Sequence, residues 1–308
     1  MNILITGGSG FIGSHLAHHY QQRASVRILD DLSTGNPRNL DGLDVEFVRG
    51  SILDPAIVRA AMKDVDYVFH LAAMVSVPLS VANPVECVRL NAIGTLNVLE
   101  AAASTGVKKL SFSSSAAVYG NNPTVPKRED MIPEPRSPYA VTKLDGEFYC
   151  RQFAEAGTLQ TVTLRFFNVF GPRQDPNGAY AAAVPIFSRQ ALAGEALTIY
   201  GDGGQTRDFV FVKDIVAALA FVTETADVTG VFNAGYGTQT TVGELARRII
   251  DMTGSTSAIR YAPERAGDVR HSRADVTRLR QAGFYPQGTL QEGLQETLLS
   301  LQTPQMGS

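Results

Sequence analysis

Short apolar segments alternate with helical patterns through the first half of this 308-residue chain. Several segments are rich in Val, Ile and Phe on both faces, which indicates strands that are buried on both sides. Parallel sheets covered by helices on both faces have this pattern. It predicts an α/β fold of Rossmann type, with a doubly wound parallel sheet. The predicted strands cover residues 2–6, 26–30, 45–48, 66–72, 108–115 and 161–167, and the clearest helices cover 85–105 and 138–156.

The second half of the chain differs from the first in residue composition and in the spacing of its apolar segments. Residues 172–206 hold many Gly, Pro and Gln, whereas the apolar segments 208–222 and 230–235 are predicted to return to the sheet. A helix is predicted at 242–253, followed by a loop-rich tail. We expect a nucleotide-binding domain and a smaller C-terminal substrate-binding lobe. The domain would hold residues 1–171 and 207–237, and the lobe 172–206 and 238–308.

Composition excludes several classes of protein. An apolar fraction of 44% and a charged fraction of 19% are typical of an ordered globular chain. The net charge is −3 and the basic residues are scattered, which argues against a nucleic-acid partner. No membrane span or signal peptide is predicted, and two cysteines without ligand spacing fit a reducing cytoplasm. The histidines of SHLAHHY (14–20) have no matching acids, so no metal site is expected.

A glycine-rich segment, TGGSGFIG (6–13), follows the first strand and opens a helix. Gly7, Gly10 and Gly13 would permit a tight turn and let backbone N–H groups approach a pyrophosphate at the positive end of the helix. A sharp turn alone would also explain glycines. Here the second strand ends in Asp30 and Asp31, and a carboxylate there can bind the adenosine ribose while repelling a 2′-phosphate. The sequence therefore predicts NAD in preference to NADP.

The segment SPYAVTK (137–143) places a tyrosine and a lysine on one helical face. Ser137 and Pro138 suit a helix start, so Tyr139 and Lys143 would lie one turn apart. A neighbouring ammonium, together with a cationic nicotinamide ring nearby, should lower the pKa of the phenol and make it a proton acceptor. Ser115, at the carboxyl end of a predicted strand, could bind a substrate oxygen. The alternatives are a surface pair and a capping serine.

Nine motifs occur in a characteristic order: TGGSGFIG, LDDLSTG, HLAA, LNAIGTLNVLEAA, FSSSAAVYG, SPYAVTK, RFFNVFGPRQ, GDGGQTRDFVFVKDI and AGDVRHSRAD. Together they resemble the extended short-chain dehydrogenases/reductases of the nucleotide-sugar epimerase/dehydratase group, over about residues 2 to 285. Within that group they are most similar to the UDP-glucose and UDP-N-acetylglucosamine 4-epimerases.

The resemblance implies roles for individual residues. Tyr139 would be the base, Lys143 would lower its pKa and hold the nicotinamide ribose, and Ser115 would bind the 4-oxygen of the sugar. The implied NAD site contains Gly7, Gly10, Phe11, Ile12, Gly13, Asp30, Asp31, Ser33, Thr34, Gly35, Ser51, Ile52, Leu71, Ala72, Ala73, Asn91, Ser113, Tyr139, Lys143 and Phe166. The implied UDP-sugar site contains Ser76, Ser115, Tyr139, Asn168, Thr198, Tyr200, Arg207, Arg265, Asp268 and Ser272.

The implied reaction is epimerisation at C4 of a UDP-hexose through a 4-keto intermediate, with NAD recycled in each turnover. Ala116 and Ala117 stand where dehydratases carry an acid and a base, which disfavours dehydration. A decarboxylase, a reductase or a non-catalytic NAD-binding protein remain alternatives. Ser51 replaces an Asp that relatives direct at adenine, and a small Ser272 leaves room for a 2-acetamido group. Predicted substrates are therefore UDP-N-acetylglucosamine and UDP-N-acetylgalactosamine, with UDP-glucose and UDP-galactose as well.

The resemblance also implies a homodimer through a four-helix bundle. Its helices would lie near residues 85–104 and 138–156. Helices packed on their own sheet would explain the same amphipathic patterns.

Overall fold

The computed structural model describes residues 1–176, 182–264 and 269–302. Its strands are β1 (Asn2–Thr6), β2 (Ser25–Asp30), β3 (Glu46–Arg49), β4 (Tyr67–His70), β5 (Lys109–Ser115), β6 (Gln160–Phe166), β7 (Asn168–Phe170), β8 (Leu197–Tyr200), β9 (Thr206–Arg207), β10 (Phe209–Phe211), β11 (Gly230–Ala234), β12 (Thr240–Thr241) and β13 (Ile259–Ala262). Its α-helices are α1 (Phe11–Tyr20), α2 (Pro55–Ala61), α3 (Val77–Ala82), α4 (Pro84–Val88), α5 (Gly94–Thr105), α6 (Pro138–Glu155), α7 (Ala183–Leu192), α8 (Val212–Glu224), α9 (Val242–Thr253), α10 (Thr277–Gln281) and α11 (Leu290–Gln302). A π-helical turn, Arg89–Ile93, joins α4 to α5.

Seven strands form the central sheet in the order β11-β6-β5-β4-β1-β2-β3, and every pairing is parallel. The predicted doubly wound, Rossmann-type fold is therefore confirmed. The alternation along β1 shows why both faces are covered: Ile3 and Ile5 belong to one apolar cluster, whereas Leu4 belongs to another. Burial of both faces supplies the hydrophobic stabilisation of the sheet.

The six strands predicted in the first half are present, with ends that differ by one or two residues. The segment 230–235 also rejoins the sheet, because β11 pairs with β6. The prediction for 208–222 was wrong beyond its first residues. Only β10 is extended there, and it pairs with β7 outside the central sheet, whereas residues 212–224 form α8.

The α8 helix is buried against α1, β5 and β6, which explains its nearly continuous apolar sequence. An apolar run of this kind does not distinguish a buried helix from a buried strand. The predicted loop-rich tail was also wrong, since it ends in α11, whose buried face carries Gly293, Leu294, Thr297 and Leu298. The helix at 242–253 is present as α9.

Three pairs of strands lie outside the central sheet: β7 with β10, β8 with β13, and β9 with β12. The proposed division of the chain into a nucleotide-binding domain and a substrate-binding lobe stays a prediction. Within the described ranges, no helix combines the length and the apolar character that crossing a bilayer would require.

Candidate active site

A cavity of about 410 Å³ opens where β1, β2, β4, β5 and β6 end. Ligands bind at this carboxyl edge in open α/β sheets. The structure brings most of the predicted cofactor residues to its wall: Gly7, Gly10, Phe11, Ile12, Gly13, Asp30, Asp31, Ser33, Thr34, Gly35, Ile52, Leu71, Ala72, Ala73, Ser113, Tyr139, Lys143 and Phe166. Ser115 and Asn168, predicted to contact the sugar, line the same cavity.

The glycine turn forms a tight cradle. Gly7 has a φ of +71°, and a Cβ there would lie 2.8 Å from the backbone nitrogen of Ala72. A Cβ on Gly13 would clash with the Gly7 carbonyl oxygen. Gly10 precedes the first residue of α1, so the positive end of that helix opens onto the cavity without a side chain over it. These features fit the pyrophosphate of a dinucleotide.

Asp30 ties the glycine turn to the loop after β2. Its buried carboxylate accepts hydrogen bonds from the backbone N–H groups of Ser9, at 2.9 Å, and Leu32, at 2.8 Å. Asp31 is exposed and accepts from the N–H of Ser33 at 2.9 Å. No arginine belongs to the part of the cavity wall that the described residues form. The charge at this end therefore suits ribose hydroxyls and opposes a 2′-phosphate.

Two predicted cofactor residues, Asn91 and Ser51, lie outside the cavity wall. The Asn91 side chain is buried and holds the loop after β4 in place. Its oxygen accepts from the Met74 N–H at 2.7 Å. Its nitrogen donates to the Met74 carbonyl and to Thr142, both at 3.0 Å. The Ser51 hydroxyl accepts from the N–H of Leu53 at 3.2 Å. Asn91 is thus hydrogen-bonded to Met74 and Thr142, and Ser51 to Leu53, and the structure does not place either residue in the cavity wall.

Tyr139, Ser115 and Lys143 come together at the inner end of the cavity. The Ser137 hydroxyl caps α6 by accepting from the Ala140 N–H at 3.2 Å, which places Tyr139 and Lys143 on the first turns of the helix. Both side chains are buried, and the Ser115 hydroxyl lies close enough to the Tyr139 hydroxyl to lower its pKa. The Lys143 ammonium donates to the Ser113 carbonyl oxygen at 2.8 Å and lies 5.8 Å from the Tyr139 ring centre.

Burial is the main cause of the pKa shifts of both Tyr139 and Lys143. Burial raises the pKa of Tyr139, and the Ser115 hydroxyl lowers it by less. Burial also lowers the pKa of Lys143 to about 8. The expected lowering of the Tyr139 pKa, which also relies on a cationic nicotinamide ring near the phenol, stays a prediction. The cost of burying a phenolate outweighs the attraction of an ammonium that is directed at a backbone carbonyl.

A second cavity, of about 360 Å³, adjoins the first and shares Asn168 and Val169 with it. Three further residues predicted for the UDP-sugar line it: Thr198, Tyr200 and Arg207. Thr198 and Tyr200 belong to β8, and Arg207 to β9. The residues that line the two neighbouring cavities thus extend from the glycine turn to β8.

The remaining predicted substrate residues are placed elsewhere. Ser76 lines neither cavity, and its hydroxyl caps α3 by accepting from the Leu79 N–H at 3.2 Å. Ser272 also lines neither, although its N–H donates to the carbonyl oxygen of Thr206, the residue before Arg207, at 3.1 Å. Arg265 and Asp268 lie outside the described residues.

The sequence reasoning missed a buried ion pair between Glu147, on the helix that carries Tyr139 and Lys143, and Arg165. Two signals were available. Glu147 follows Lys143 by one helical turn, and Arg165 is a charged residue inside an apolar strand. A charge in such a strand requires a buried partner.

Known proteins resemble the chain along nearly its whole length. The UDP-glucose 4-epimerase of Mycolicibacterium smegmatis is 40% identical over 307 residues, which cover 97% of each chain. The UDP-N-acetyl-alpha-D-glucosaminuronate decarboxylase of Bacillus cytotoxicus is 35% identical, with 96% of each chain covered. The solved UDP-N-acetylglucosamine 4-epimerase from Methanobrevibacter ruminantium M1, in complex with UDP-N-acetylmuramic acid, is 41% identical with a TM-score of 0.94, and 97% of each chain is covered.

The sequence model of the NAD dependent epimerase/dehydratase family matches residues 3–235, which span the glycine turn, Ser115, Tyr139 and Lys143. The match covers more than half of the chain and includes six of the seven strands in full. Together with the cavity at the sheet edge, it shows that this chain belongs to the NAD-dependent epimerase/dehydratase family.

Proposed function

We propose that this protein is a 4-epimerase of UDP-hexoses that uses tightly held NAD. One observation carries the proposal: Tyr139, Ser115 and Lys143 meet in a cavity whose other end is a glycine turn suited to a dinucleotide. The two residues after Ser115 are Ala116 and Ala117, which have no group that can transfer a proton. The site thus has one proton-transfer group where a dehydratase needs more.

The predicted NAD residues divide by the part of the cofactor that they would hold. The glycine turn and the start of α1 would bind the pyrophosphate, and Asp30 would bind the adenosine ribose. Lys143 would hold the nicotinamide ribose. When bound, NAD would accept a hydride from C4 of the sugar and return it to the opposite face, and its cationic ring would favour the phenolate of Tyr139.

The chain's own residues would move the proton and hold the sugar. Tyr139 would take the proton of the 4-hydroxyl group and return it when the ketone is reduced. Ser115, whose hydroxyl lies close enough to the phenol to lower its pKa, would orient the 4-oxygen. The buried setting of Tyr139 excludes water from the transfer and strengthens these hydrogen bonds. A guanidinium is suited to a diphosphate, so Arg207 and Arg265 would bind the UDP.

The second cavity supports a UDP-sugar as the substrate. Thr198 and Tyr200 would meet the uracil, whereas Asn168, Arg207 and Asp268 would hold the rest of the UDP. Asn168 lines both cavities, the one that contains Tyr139 and the one that contains Arg207. A small Ser272 leaves space for a 2-acetamido group, so we expect both acetylated and non-acetylated hexoses to be turned over.

We further propose that the protein forms a homodimer through α4 and α6. The two helices pack side by side and expose Val85, Val88, Val141 and Phe148. Val85 is 80% exposed, and α3 adds Val81 to the same region. An apolar surface of this kind favours burial against a partner. A second copy would place four helices together, in a bundle with the symmetry of a simple dimer.

The decisive experiment is to incubate the purified protein with single UDP-hexoses, without added cofactor, and to separate the products. UDP-N-acetylglucosamine, UDP-N-acetylgalactosamine, UDP-glucose and UDP-galactose are the substrates to compare. Conversion of each sugar into its C4 epimer, without net formation of reduced nicotinamide, is the expected result. Release of CO₂ from a UDP-uronic acid would instead indicate a decarboxylase, and bound NAD without any turnover would indicate a regulatory protein.

A further inference from the structure

Glu147 and Arg165 form a buried ion pair between α6 and β6. The Arg165 guanidinium donates twice to the Glu147 carboxylate, through Nε to Oε1 at 2.9 Å and through Nη2 to Oε2 at 2.7 Å. The residues are only 6% and 4% exposed, so water does not screen the pair. Charge-assisted, two-pronged hydrogen bonds of this kind fix the position of both groups.

A third hydrogen bond links this pair to the strand that carries the catalytic serine. The Ser114 hydroxyl donates to Oε1 of Glu147. Its neighbours in β5 both contact the active site: the Ser113 carbonyl oxygen accepts from Lys143, and the Ser115 hydroxyl lies close enough to Tyr139 to lower the pKa of the phenol. Ser114 is thus the middle residue of the segment that holds the lysine and the tyrosine.

The other side of Arg165 is anchored as well. Its Nη1 donates to the Tyr119 hydroxyl at 2.9 Å, and its guanidinium lies over the Tyr119 ring. The Tyr119 hydroxyl in turn donates to the side-chain oxygen of Asn233, on β11, at 2.7 Å. A satisfied buried network of this kind has little freedom to rearrange. Glu147 is therefore a fixed acceptor, one helical turn beyond Lys143.

We propose that Ser114 and Glu147 are positioning residues, which hold the end of β5 against α6 so that Ser115 and Lys143 stay aligned with Tyr139. This inference rests on the proposed catalytic role of those three residues. A buried ion pair alone is weak evidence even for stability, because well-packed apolar residues often replace one without loss. The hydrogen bond of Ser114 is the stronger observation, because it attaches the ion pair to the residue between Ser113 and Ser115.

The test compares Ser114→Ala with Ser111→Ala. Ser111 lies in the same strand, is equally buried, and its hydroxyl bonds to Thr223 of α8. Each variant removes one buried hydroxyl from β5, but only Ser114 is linked to Glu147. Because small misalignment of reacting groups is costly, we expect Ser114→Ala to lower kcat about ten- to a hundredfold with little change in KM. Ser111→Ala should keep kcat within about twofold, since its bond lies away from the site.

A second readout does not depend on turnover. The chain has no tryptophan, so the ultraviolet absorbance of tyrosinate can be titrated directly. Each protein is titrated with and without Tyr139→Phe, and the difference reports Tyr139. The Ser115 hydroxyl favours the phenolate, so displacement of Ser115 in Ser114→Ala should move the Tyr139 titration to higher pH. Ser111→Ala should leave the titration in place.

The inference would be overturned by an unchanged Tyr139 titration in Ser114→Ala, or by the same loss of kcat in both variants. Denaturant midpoints of the two variants show whether they lose similar stability, as removal of one buried hydroxyl predicts. If the unsubstituted protein converts no UDP-sugar, the proposed function fails by itself. The tyrosinate titration then still decides whether Ser114 positions the site.

Discussion

The ammonium of Lys143 donates a 2.8 Å hydrogen bond to the carbonyl oxygen of Ser113. The lysine is thereby attached to the strand end that also supplies Ser115, so the helix residue and the strand residue hold one position relative to each other. Tyr139 completes the arrangement, since the Ser115 hydroxyl acts on its phenol and lowers its pKa. The proposed proton transfer would therefore depend on two separate elements, α6 and β5.

The first prediction concerns the Tyr139 hydroxyl. Tyr139→Phe removes the proposed proton acceptor but keeps the ring, so kcat should fall by about 10²- to 10⁴-fold. The purified variant should still contain NAD, measured by its release on denaturation. Tyr149→Phe, which removes a phenol hydroxyl from the same helix, is the matched control and should keep its activity. Full turnover in Tyr139→Phe would rule out the proposed base.

The second prediction concerns pH. Burial lowers the pKa of Lys143 from 10.5 to about 8, so its charge is lost as the pH rises through 8. We expect kcat to decline above this pH, approaching roughly tenfold per unit. Between pH 8 and 10.5 the unfolded lysine would bind a proton that the folded one does not, so this group makes the free energy of unfolding increase with pH. A rate that stays constant up to pH 10 in a folded enzyme contradicts the prediction.

The third prediction concerns NAD retention. The two carboxylate oxygens of Asp30 accept from the N–H groups of Ser9 and Leu32. In Asp30→Asn, an NH₂ group replaces one of these oxygens and cannot accept a hydrogen bond. We expect NAD to bind about tenfold more weakly, since the charge that would meet the ribose is also lost. Equilibrium dialysis of the stripped protein measures the effect. Asp41→Asn, an exposed carboxylate on the same loop, should bind NAD normally; equal affinity in both variants would argue against the role of Asp30.

The fourth prediction concerns the sugar. Ser272→Tyr fills the space proposed for the 2-acetamido group, so turnover of UDP-N-acetylglucosamine should fall at least about tenfold relative to UDP-glucose. The ratio of kcat/KM for the two sugars is the measurement, and Ser272→Ala, which keeps the space open, should leave it unchanged. Equal losses on both sugars would contradict the size argument. It would also be contradicted if the unsubstituted protein accepted UDP-glucose but not the acetylated sugar.

The fifth prediction concerns assembly. Phe148 is exposed on α6, and Phe148→Glu would place a charge in the apolar surface proposed to meet a second copy. We expect the variant to elute as a monomer, whereas the unsubstituted protein elutes as a dimer. Light scattering at several concentrations gives the mass. Tyr285→Glu, which alters an exposed aromatic outside α3, α4 and α6, should remain dimeric. A monomeric unsubstituted protein would refute the proposed interface.

Local patterns were enough to predict much of the fold and site. The turn at Gly7, Gly10 and Gly13 depends on backbone conformation over a few residues, and the pairing of Tyr139 with Lys143 depends only on helical spacing. Neither needs knowledge of distant contacts. The strands were recognisable for the same reason, since burial on both faces marks each short segment by itself.

Other features depended on which distant residues meet. The apolar run at 208–222 became mostly helix because α8 has the core around it on several sides. Asn91 matched a cofactor position by motif, yet its amide is committed to Met74 and Thr142. The pKa of Tyr139 rises because its environment is dry, a property that spacing along the chain does not contain.

The sequence by itself thus determined the fold class, the family and the pairing of Tyr139 with Lys143, because these follow from local spacing and motif order. Only the tertiary structure decided how Ser114, Glu147 and Arg165 join β5, α6 and β6, and in which direction burial moves the pKa of the tyrosine. Desolvation and long-range hydrogen bonds arise when remote segments pack together, and their strength depends on the water that packing removes.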